Sequence, residues 1–467
     1  MTKILFIQKE ATEKFGVMTL SALLKQAGHK VEMFIELLEK EPAFDFIKLW
    51  QPDFIAFSIT TLEKDWAINL AAKLKKRVKV FTIFGGAEAT YNPWIIKNDA
   101  VDFVCRGEGE KGFLKLINRI ENNKSLKGIN NIWIKEKGKV IKSNLGRLIT
   151  NLDKLTLPDR ELYYKYPLLK NLSTKKFLCS RGCPYNCSYC SNHAYRKLVK
   201  GKGKLLRYRN PEIIIKEIKE VKLKYGLKTV YFADETFTLN HNWLFELLKL
   251  YRKKIRLPFS CMARANELNE DVVKALKQSG CFYLSFGLES GSEKIRNKIL
   301  KRNLSDEEML KASVLLHKYD IPFLTHSMFV LPTETLNDAL KTVTMNIKMG
   351  TDSVWDTVLQ PFHSTAMYKF CQQKKLLKKR EKIDSTHGTS MIKNADKKQI
   401  ENLRKLDWLT IKLPWLLPLT KKLVYLPNNI VFELILKTSE LYSFRRRYRL
   451  GFWEMIRLAW GTGKKLG

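Results

Sequence analysis

The clearest chemistry in this sequence lies in Cys183-Pro184-Tyr185-Asn186-Cys187-Ser188-Tyr189-Cys190. Its three thiols stand at i, i+4 and i+7. They follow Lys176–Arg181, which reads as a short strand closed by a turn at Gly182. Thiolates are soft ligands, and one compact loop can aim all three at one centre. A [4Fe–4S] cluster usually takes four cysteines. Three would leave one iron open, the arrangement by which a metal site does chemistry rather than only holding structure. Two plainer readings of the same thiols stay open: a structural zinc completed by a distant fourth ligand, and unligated core cysteines. Cys179, four residues earlier, reads as a strand residue.

A reactive loop needs a scaffold, and residues 177–365 repeat a strand–helix rhythm. Strands are expected at Val230–Ala233, Phe259–Ala263, Phe282–Phe286, Phe323–Val330 and Ser353–Leu359. Helices between them carry stop and start signals such as Asn210-Pro211, Gly226 and Gly280. With the strand before the cysteines, six parallel strands describe a partial barrel with its site at their carboxyl ends. Those ends carry Asp234-Glu235, Arg264, Gly287-Leu288-Glu289-Ser290-Gly291, Thr333-Glu334-Thr335 and His363. Each alone also suits a helix cap or a salt bridge, and His363 alone suits a structural role.

Upstream, Lys3–Gln8, Val31–Ile35, Asp53–Ile59, Val78–Phe84 and Phe103–Cys105 read as strands alternating with helices, the first helix being Val17–Ala27 closed by Gly28. This is the pattern of a parallel, doubly wound α/β sheet, in which ligands sit beyond the carboxyl ends of the strands. Those ends are Ser58-Ile59-Thr60-Thr61, Gly85-Gly86-Ala87-Glu88-Ala89-Thr90 and Arg106-Gly107-Glu108-Gly109-Glu110, small and hydroxylated enough to admit a flat ligand. No G-x-G-x-x-G follows the first strand, which argues against a nicotinamide fingerprint. A small hairpin is expected at Ile132–Ile134 and Val140–Ile141, turning at Lys137-Gly138. The boundary falls in the linker containing Leu157-Pro158-Asp159-Arg160.

The C-x3-C-x2-C spacing with an aromatic before the last cysteine resembles the radical S-adenosylmethionine (SAM) superfamily. The resemblance implies that Cys183, Cys187 and Cys190 bind a [4Fe–4S] cluster and that SAM chelates the open iron. Electron transfer from the cluster would cleave SAM to methionine and a 5′-deoxyadenosyl radical. Tyr189 would lie near the adenine, Asp234 and Glu235 at the methionine amine, Arg264 at the carboxylate, and Glu289 and Ser290 at the ribose. The fifth strand departs from the family. Relatives carry Gly-x-Pro-Gly-Glu-Thr where this chain has Val330-Leu331-Pro332-Thr333-Glu334-Thr335.

The N-terminal pattern resembles the cobalamin-binding domain of one large radical SAM subfamily, as does the Leu-Pro-Asp-Arg linker. Ser58, Thr60, Gly85, Gly86, Gly107 and Glu108 would then line cobalamin. The Asp-x-His-x-x-Gly signature is absent, Glu88 stands where many relatives have His, and His29 is the only histidine there, so no histidine would ligate cobalt. The implied organisation is a Rossmann-like cobalamin domain over 1–150, a linker over 151–176, a partial (β/α)6 radical SAM barrel over 177–365 and a basic helical region over 366–467. The implied activity is methylation of an unactivated carbon, or a cyclisation or rearrangement, served by an electron donor such as flavodoxin or ferredoxin. A tRNA methylthiotransferase would need three further cysteines upstream, where this chain has only Cys105. A basic nucleic-acid-binding protein with a structural cluster is the non-enzyme rival, and no RNA-binding aromatic motif supports it.

Composition sets the bounds. The 467 residues suit two or three domains, and 45% hydrophobic residues suffice for ordinary cores. Eight cysteines, three of them clustered, argue for a reducing cytoplasm and metal use rather than a disulfide framework. The N-terminus reads as a strand, not a signal peptide. A formal charge of +37 suits an anionic partner, although lysine is spread along the whole chain. A loop is expected to be mobile around Ser385–Ser390. In the tail, Trp408, Leu409, Ile411, Leu413, Trp415, Leu416, Leu417 and Leu419 precede Lys421 and Lys422. Phe444-Arg445-Arg446-Arg447-Tyr448-Arg449-Leu450 precedes Phe452, Trp453, Ile456, Leu458 and Trp460. Cations beside aromatic rings suit the surface of an anionic membrane and, with it, a lipid or other hydrophobic substrate.

Overall fold

The computed structural model describes residues 1–378, 385–451 and 453–455. The chain forms two compact units. One comprises Met1–Leu172 with Tyr195–Arg207, the other Ser173–Ala194 with Tyr208–Phe452.

In the first unit the strands are β1 (Lys3–Gln8), β2 (Lys30–Ile35), β3 (Phe54–Ser58), β4 (Phe81–Gly85), β5 (Phe103–Cys105), β6 (Ile132–Glu136) and β7 (Lys139–Ile141). They lie in the order β2-β1-β3-β4-β5-β6-β7, the first five parallel and the last two antiparallel. The reversal of order between β1 and β3 is the switch point of a doubly wound sheet, beside which ligands bind. The β6–β7 turn is made by Lys137 and Gly138, both at positive φ (47° and 76°), as a tight hairpin requires. Residues 159–166, expected to be linker, pack onto this unit. Asp159 accepts from Ser21 Oγ at 2.6 Å and pairs with Lys25 on helix α1 (Phe15–Gln26), while Tyr163 donates to Gln8 at 2.9 Å and Tyr166 to the Met33 carbonyl at 2.9 Å.

In the second unit six strands, β8 (Thr174–Phe177), β9 (Thr229–Phe232), β10 (Phe259–Ala263), β11 (Cys281–Glu289), β12 (Phe323–Phe329) and β13 (Ser353–Val358), pair in sequence order and all parallel. Helices α2 (Pro211–Tyr225), α3 (His241–Lys254), α4 (Glu270–Gln278), α5 (Asp306–Lys318) and α6 (Leu336–Met349) alternate with them. Local sequence sets the helix ends. Asn210 caps α2 before Pro211, Ser305–Glu308 and Thr335–Asp338 close capping boxes, and Gly226 and Gly350 end helices in the left-handed region. Phe177, Phe232, Phe259 and Leu284 on the strands pack with Ile214, Leu244, Val272 and Leu316 on the helices.

The strand expected over Lys176–Arg181 stops at Phe177. Beyond it the Cys179 amide donates to the Asp234 carboxylate (3.0 Å) instead of to a neighbouring strand, so Cys179 is a buried residue of the turn rather than of a strand. Conversely, β11 runs to Glu289, past the expected end at Phe286. The Ser385–Ser390 loop is not loose. Gln360 donates to the Ser385 and Thr389 carbonyls, Ser390 Oγ to the Leu359 carbonyl at 2.7 Å, and Arg404 to the His387 carbonyl at 2.8 Å.

Three tail helices follow, α7 (Lys397–Lys412), α8 (Leu417–Leu423) and α9 (Ile430–Tyr448), broken near Pro414 and Pro427 as prolines dictate. The arginine-rich end of α9 is committed to the barrel. Arg446 pairs with Asp352 at 3.0 Å, Arg447 meets His326 at 3.0 Å and lies over Trp355, and Tyr448 packs on Tyr231. Those contacts fall at or near the amino-terminal ends of the strands, opposite the cysteine loop. Phe452, Ile456, Leu458 and Trp460 lie outside the described residues.

Candidate active site

The cysteine loop leaves β8 at the carboxyl edge of the sheet and is pinned from several sides. The Ser188 amide donates to the Leu300 carbonyl (2.9 Å) and its hydroxyl to that of Ile299 (2.7 Å), while the Met367 amide donates to the Ser188 carbonyl (2.8 Å). The Tyr185 hydroxyl donates to Glu267 at 2.7 Å, and Thr238 holds the other oxygen of that carboxylate at 2.6 Å. Cys187 is buried, and Cys183 and Cys190 are half-buried. Burial pushes the Cys183 thiol up to about 12 and the Cys190 thiol to about 11, with the neighbouring thiols and Glu235 adding to the rise. Bare thiols so perturbed keep their protons at neutral pH, and a bound metal removes them. Cluster assembly on this loop is therefore expected to release protons, measurable as acid liberated from weakly buffered apoprotein during anaerobic reconstitution. Among the described residues no three His, Cys, Asp or Glu side chains converge on a single-ion site. A [4Fe–4S] cluster does not require that, because each thiolate binds a different iron.

The Asp234-Glu235 pair divides its labour. Asp234 is fully buried and accepts from the Cys179 amide and the Ser180 hydroxyl. Burial raises its carboxyl to about 6 against the pull of those hydrogen bonds. Asp234 therefore shapes the loop and is not presented to a ligand, contrary to the expectation for it. Glu235 is exposed, yet protein surrounds it closely enough to raise its carboxyl, and its charge acts on Cys183 and Cys190. That combination describes a carboxylate lining a concave mouth beside the thiols. Arg264 also differs from expectation. It stacks on Tyr185 (3.9 Å to the ring centroid), approaches Cys187 Sγ at 3.9 Å and donates to the Arg302 carbonyl.

Arg302 was not legible in the sequence. Its guanidinium donates to the Tyr189 hydroxyl at 2.7 Å, to Glu289 at 3.2 Å and to the Gly287 carbonyl at 2.8 Å. Its Nε, although buried, has no hydrogen-bond partner among the described residues. Burial alone would lower its pKa, but Tyr189, Glu289 and Cys187 hold it above the usual guanidinium range. Glu289 adopts a positive φ of 64°, which folds its side chain back over Gly287, where a Cβ would collide with the carboxylate. Ser290 is buried, accepts from the Ser292 amide, and through its carbonyl accepts from Arg296, so it holds the turn and is not presented to a ribose. His363 is exposed and packs on the Tyr368 ring.

The turn after β12 bends through two non-glycine residues at positive φ. Val330 and Thr333 stand where relatives have glycine, and both adopt positive φ, 60° and 64°. For β-branched residues that conformation is strained. Val330 is buried, but Thr333 is exposed. Thr333→Gly is therefore expected to stabilise the chain by about 0.5–1 kcal/mol, the relieved strain exceeding the entropy that glycine adds to the unfolded state. Denaturant midpoints at unchanged slope check it. Within the same turn Glu334 is buried, accepts from the Leu331 amide at 2.8 Å, and has its other oxygen unpartnered among the described residues. Burial raises its carboxyl to about 8. A raised folded pKa stabilises the protonated form. Glu334's contribution is fully present below the ordinary carboxylate range and is lost as pH rises through about 8. Thermal melts across pH 5–9 are expected to show a decline that Glu334→Gln flattens.

In the first unit the expected ligand contacts also separate. Thr60 bonds Glu63 through both its amide and hydroxyl at 2.9 Å, which caps the following turn. Glu108 pairs with Arg207 at 2.7 Å and accepts from the Ile149 amide at 2.8 Å, a structural clamp rather than a presented acid. Glu88 accepts from Thr61 (2.7 Å) and Asn92 (2.9 Å). Gly86 has φ +88°, and a Cβ there would lie 2.6 Å from the Ile59 carbonyl, so the fold itself requires that glycine. Gly107 is explained by its φ of +68° alone, since a Cβ there would meet only ordinary contacts at 3.4–3.6 Å. Gly85 is different. Its backbone is extended, and a Cβ would meet only ordinary contacts at 3.9 Å. A glycine that neither backbone nor packing demands costs stability within a strand. At the carboxyl end of β4, beside the Ser58 terminus of β3, its bareness fits a flat ligand laid across the strand ends.

A half-barrel of six parallel strands with three thiols at its carboxyl edge, in one chain with a doubly wound unit, defines a metal-cluster enzyme with a second ligand domain. The comparisons agree. Residues 177–345 match the Radical SAM superfamily and residues 9–117 the B12 binding domain. An uncharacterized methyltransferase of Pyrococcus horikoshii is 28% identical over 78% of this chain and 79% of its own length. The hopanoid C-3 methylase of Methylococcus capsulatus is 26% identical over 62% of this chain, and the match spans 56% of that enzyme. Among solved structures, the cobalamin-dependent SAM radical enzyme OxsB with aqua-cobalamin bound has TM-score 0.71 at 15% identity, covering 98% of this chain and 75% of that one. The radical SAM methyltransferase TsrM from Kitasatospora setae has TM-score 0.67 at 14% identity, covering 80% and 76%. The chain joins a radical SAM domain to a B12-binding domain, the pairing found in cobalamin-dependent radical SAM enzymes, with a [4Fe–4S] cluster, SAM and cobalamin as the cofactors those domains imply.

Proposed function

We propose that this enzyme transfers a methyl group to an unactivated carbon of a hydrophobic small molecule. When bound, the cluster supplies the electron that cleaves SAM, and cobalamin supplies the methyl group. The observation that carries the reading is the loop of three thiols pinned at the carboxyl edge of the barrel, with Glu235 near enough for its charge to act on Cys183 and Cys190. In this reading Cys183, Cys187 and Cys190 hold the cluster, and Glu235 pairs with the SAM ammonium. Arg302 and Tyr189 orient Glu289 toward the ribose hydroxyls, and Arg264 screens the negative charge on Cys187. In the first unit, Ser58 and Gly85 line the cobalamin. Two relatives are methyltransferases or methylases by name, and two others, from Rubrivivax gelatinosus and Synechocystis, are anaerobic magnesium-protoporphyrin IX monomethyl ester cyclases at 22% and 24% identity, so the choice between methylation and cyclisation rests on the product balance below. The methylthiotransferase alternative is weaker, because upstream of the loop's own strand the chain has only Cys105, whose thiol burial pushes up to about 12.

The chain is proposed to act in a reducing compartment with electrons from a small protein such as flavodoxin or ferredoxin. It is proposed to meet its substrate at an anionic membrane face. Among the described residues no helix is long and apolar enough to cross a membrane.

The product balance tests the reaction. Methylation consumes SAM in two ways, yielding 5′-deoxyadenosine with methionine and, separately, S-adenosylhomocysteine. The reconstituted enzyme, given a lipid extract and reductant, is expected to form both nucleosides together with a product heavier by one methylene. Deoxyadenosine without S-adenosylhomocysteine would point to cyclisation or rearrangement instead. Gly85→Leu is expected to fold normally and fail to retain cobalamin, read by cobalt content after gel filtration. Full retention would move the site elsewhere.

A further inference from the structure

The tail carries a surface that the barrel does not use. From Trp408 to Phe432 the sequence contains no acid, although the chain has 47 Asp and Glu, and it carries Lys412, Lys421 and Lys422. In the structure this stretch ends α7, forms the short helix α8 and enters α9. Its inner side chains are committed. Val424 and Phe432 are buried, and Asn402 on α7 ties the turn by donating to the Val424 and Leu426 carbonyls. Its outer side is apolar and bare. Trp415 is 73% exposed, Tyr425 67%, Ile430 70%, Val431 57%, Leu434 56% and Leu419 48%. Single exposed apolar residues need no explanation, but six large ones within one helical hairpin form a patch of the kind that marks an interaction surface.

We propose that this α8–α9 hairpin docks the enzyme on an anionic lipid bilayer, lying in the interface without spanning it. Charge selects the occupant. From Trp415 to Leu434 the one acid, Glu433, is paired with Lys405, so the patch and its exposed lysines offer little repulsion to phosphate, and Trp and Tyr beside Leu and Ile suit the boundary between headgroups and acyl chains. Of the two tail stretches expected from the sequence, this surface keeps part of the first, with Trp415, Leu419, Lys421 and Lys422. The Arg446–Tyr448 stretch, an equally good reading on paper, is half-buried and tied to the unit by Asp352, His326 and Tyr231. The inference deepens the proposed function by placing a hydrophobic substrate in or on the bilayer, and rests on that reading only for this consequence.

The test is flotation of the full chain with vesicles of phosphatidylcholine alone or mixed with phosphatidylglycerol, with SAM cleavage assayed separately in vesicle-free solution. Binding is expected with phosphatidylglycerol, weak without it and reduced by salt. The combined change Trp415→Ser, Ile430→Ser and Leu434→Ser is expected to lower bound protein by about tenfold or more. Leu223→Ser, at a 91% exposed site on α2, is expected to change nothing. Lys421→Gln with Lys422→Gln is expected to remove the preference for anionic lipid. The docking inference is overturned if the natural chain does not float, if the triple variant floats equally well, or if sedimentation shows the patch closing a dimer that the triple variant loses. Flotation by a chain that cleaves no SAM would sustain the docking surface while refuting the proposed function.

Discussion

Alanine at Cys183, Cys187 or Cys190 is expected to reduce SAM cleavage to background and leave less than full iron in the reconstituted protein. The reason is geometric. The loop is fixed through Ser188 to the Ile299 and Leu300 carbonyls and through Tyr185 to Glu267, so no other thiol can swing into a vacated position. Cys179, nearest in sequence, is buried in the barrel core with its amide committed to Asp234. Cys179→Ala is therefore the control, expected to keep iron and activity at a stability cost of about 1 kcal/mol. Iron content and deoxyadenosine formation on the four variants separate ligand from bystander. Loss of iron in Cys179→Ala alone would reassign the ligand set.

Arg302→Leu is expected to have the next largest effect. It strands the Glu289 carboxylate, and it leaves Tyr189 and the Gly287 carbonyl without their donor. Removing one partner of a buried ion pair costs on the order of 3–5 kcal/mol, here concentrated on the turn beside the cysteines. Activity should fall with it. Arg302→Lys should restore part of the stability but little activity, because one ammonium cannot serve three acceptors in fixed directions. Denaturant midpoints and the KM for SAM measure the two losses separately. Arg302→Leu with unchanged stability and unchanged KM would remove Arg302 from the site.

Much of this was legible in the sequence because the signals were local. Cysteine spacing, strand alternation, Asn210-Pro211 and the Gly226 stop depend on neighbours in the chain, and the structure follows them with shifts of a few residues. What failed was long-range. Asp234 and Glu235 are adjacent and alike, and only the fold turns one toward the Cys179 amide and the other toward the thiols. Arg302 sits in a lysine-rich chain with no motif around it, and its role arises from where β11 ends. The six expected cobalamin contacts looked equivalent, yet Gly86 serves the Ile59 backbone and Glu108 serves Arg207, whereas Gly85 is left bare. In the tail, two cationic aromatic stretches read alike until packing tied one to the barrel through Asp352, His326 and Tyr231 and left the other's large apolar side chains exposed.

The central claim is that one chain joins a SAM-cleaving cluster to cobalamin. It is tested most directly by anaerobic reconstitution with iron, sulfide and hydroxocobalamin, followed by metal counts and product analysis on the same desalted sample. The account predicts about four irons and about one cobalamin per chain, absorption free of a histidine-ligated cobalt signature, and deoxyadenosine on adding SAM and reductant. Zinc in place of iron, or a desalted protein carrying iron but no cobalt, would contradict it.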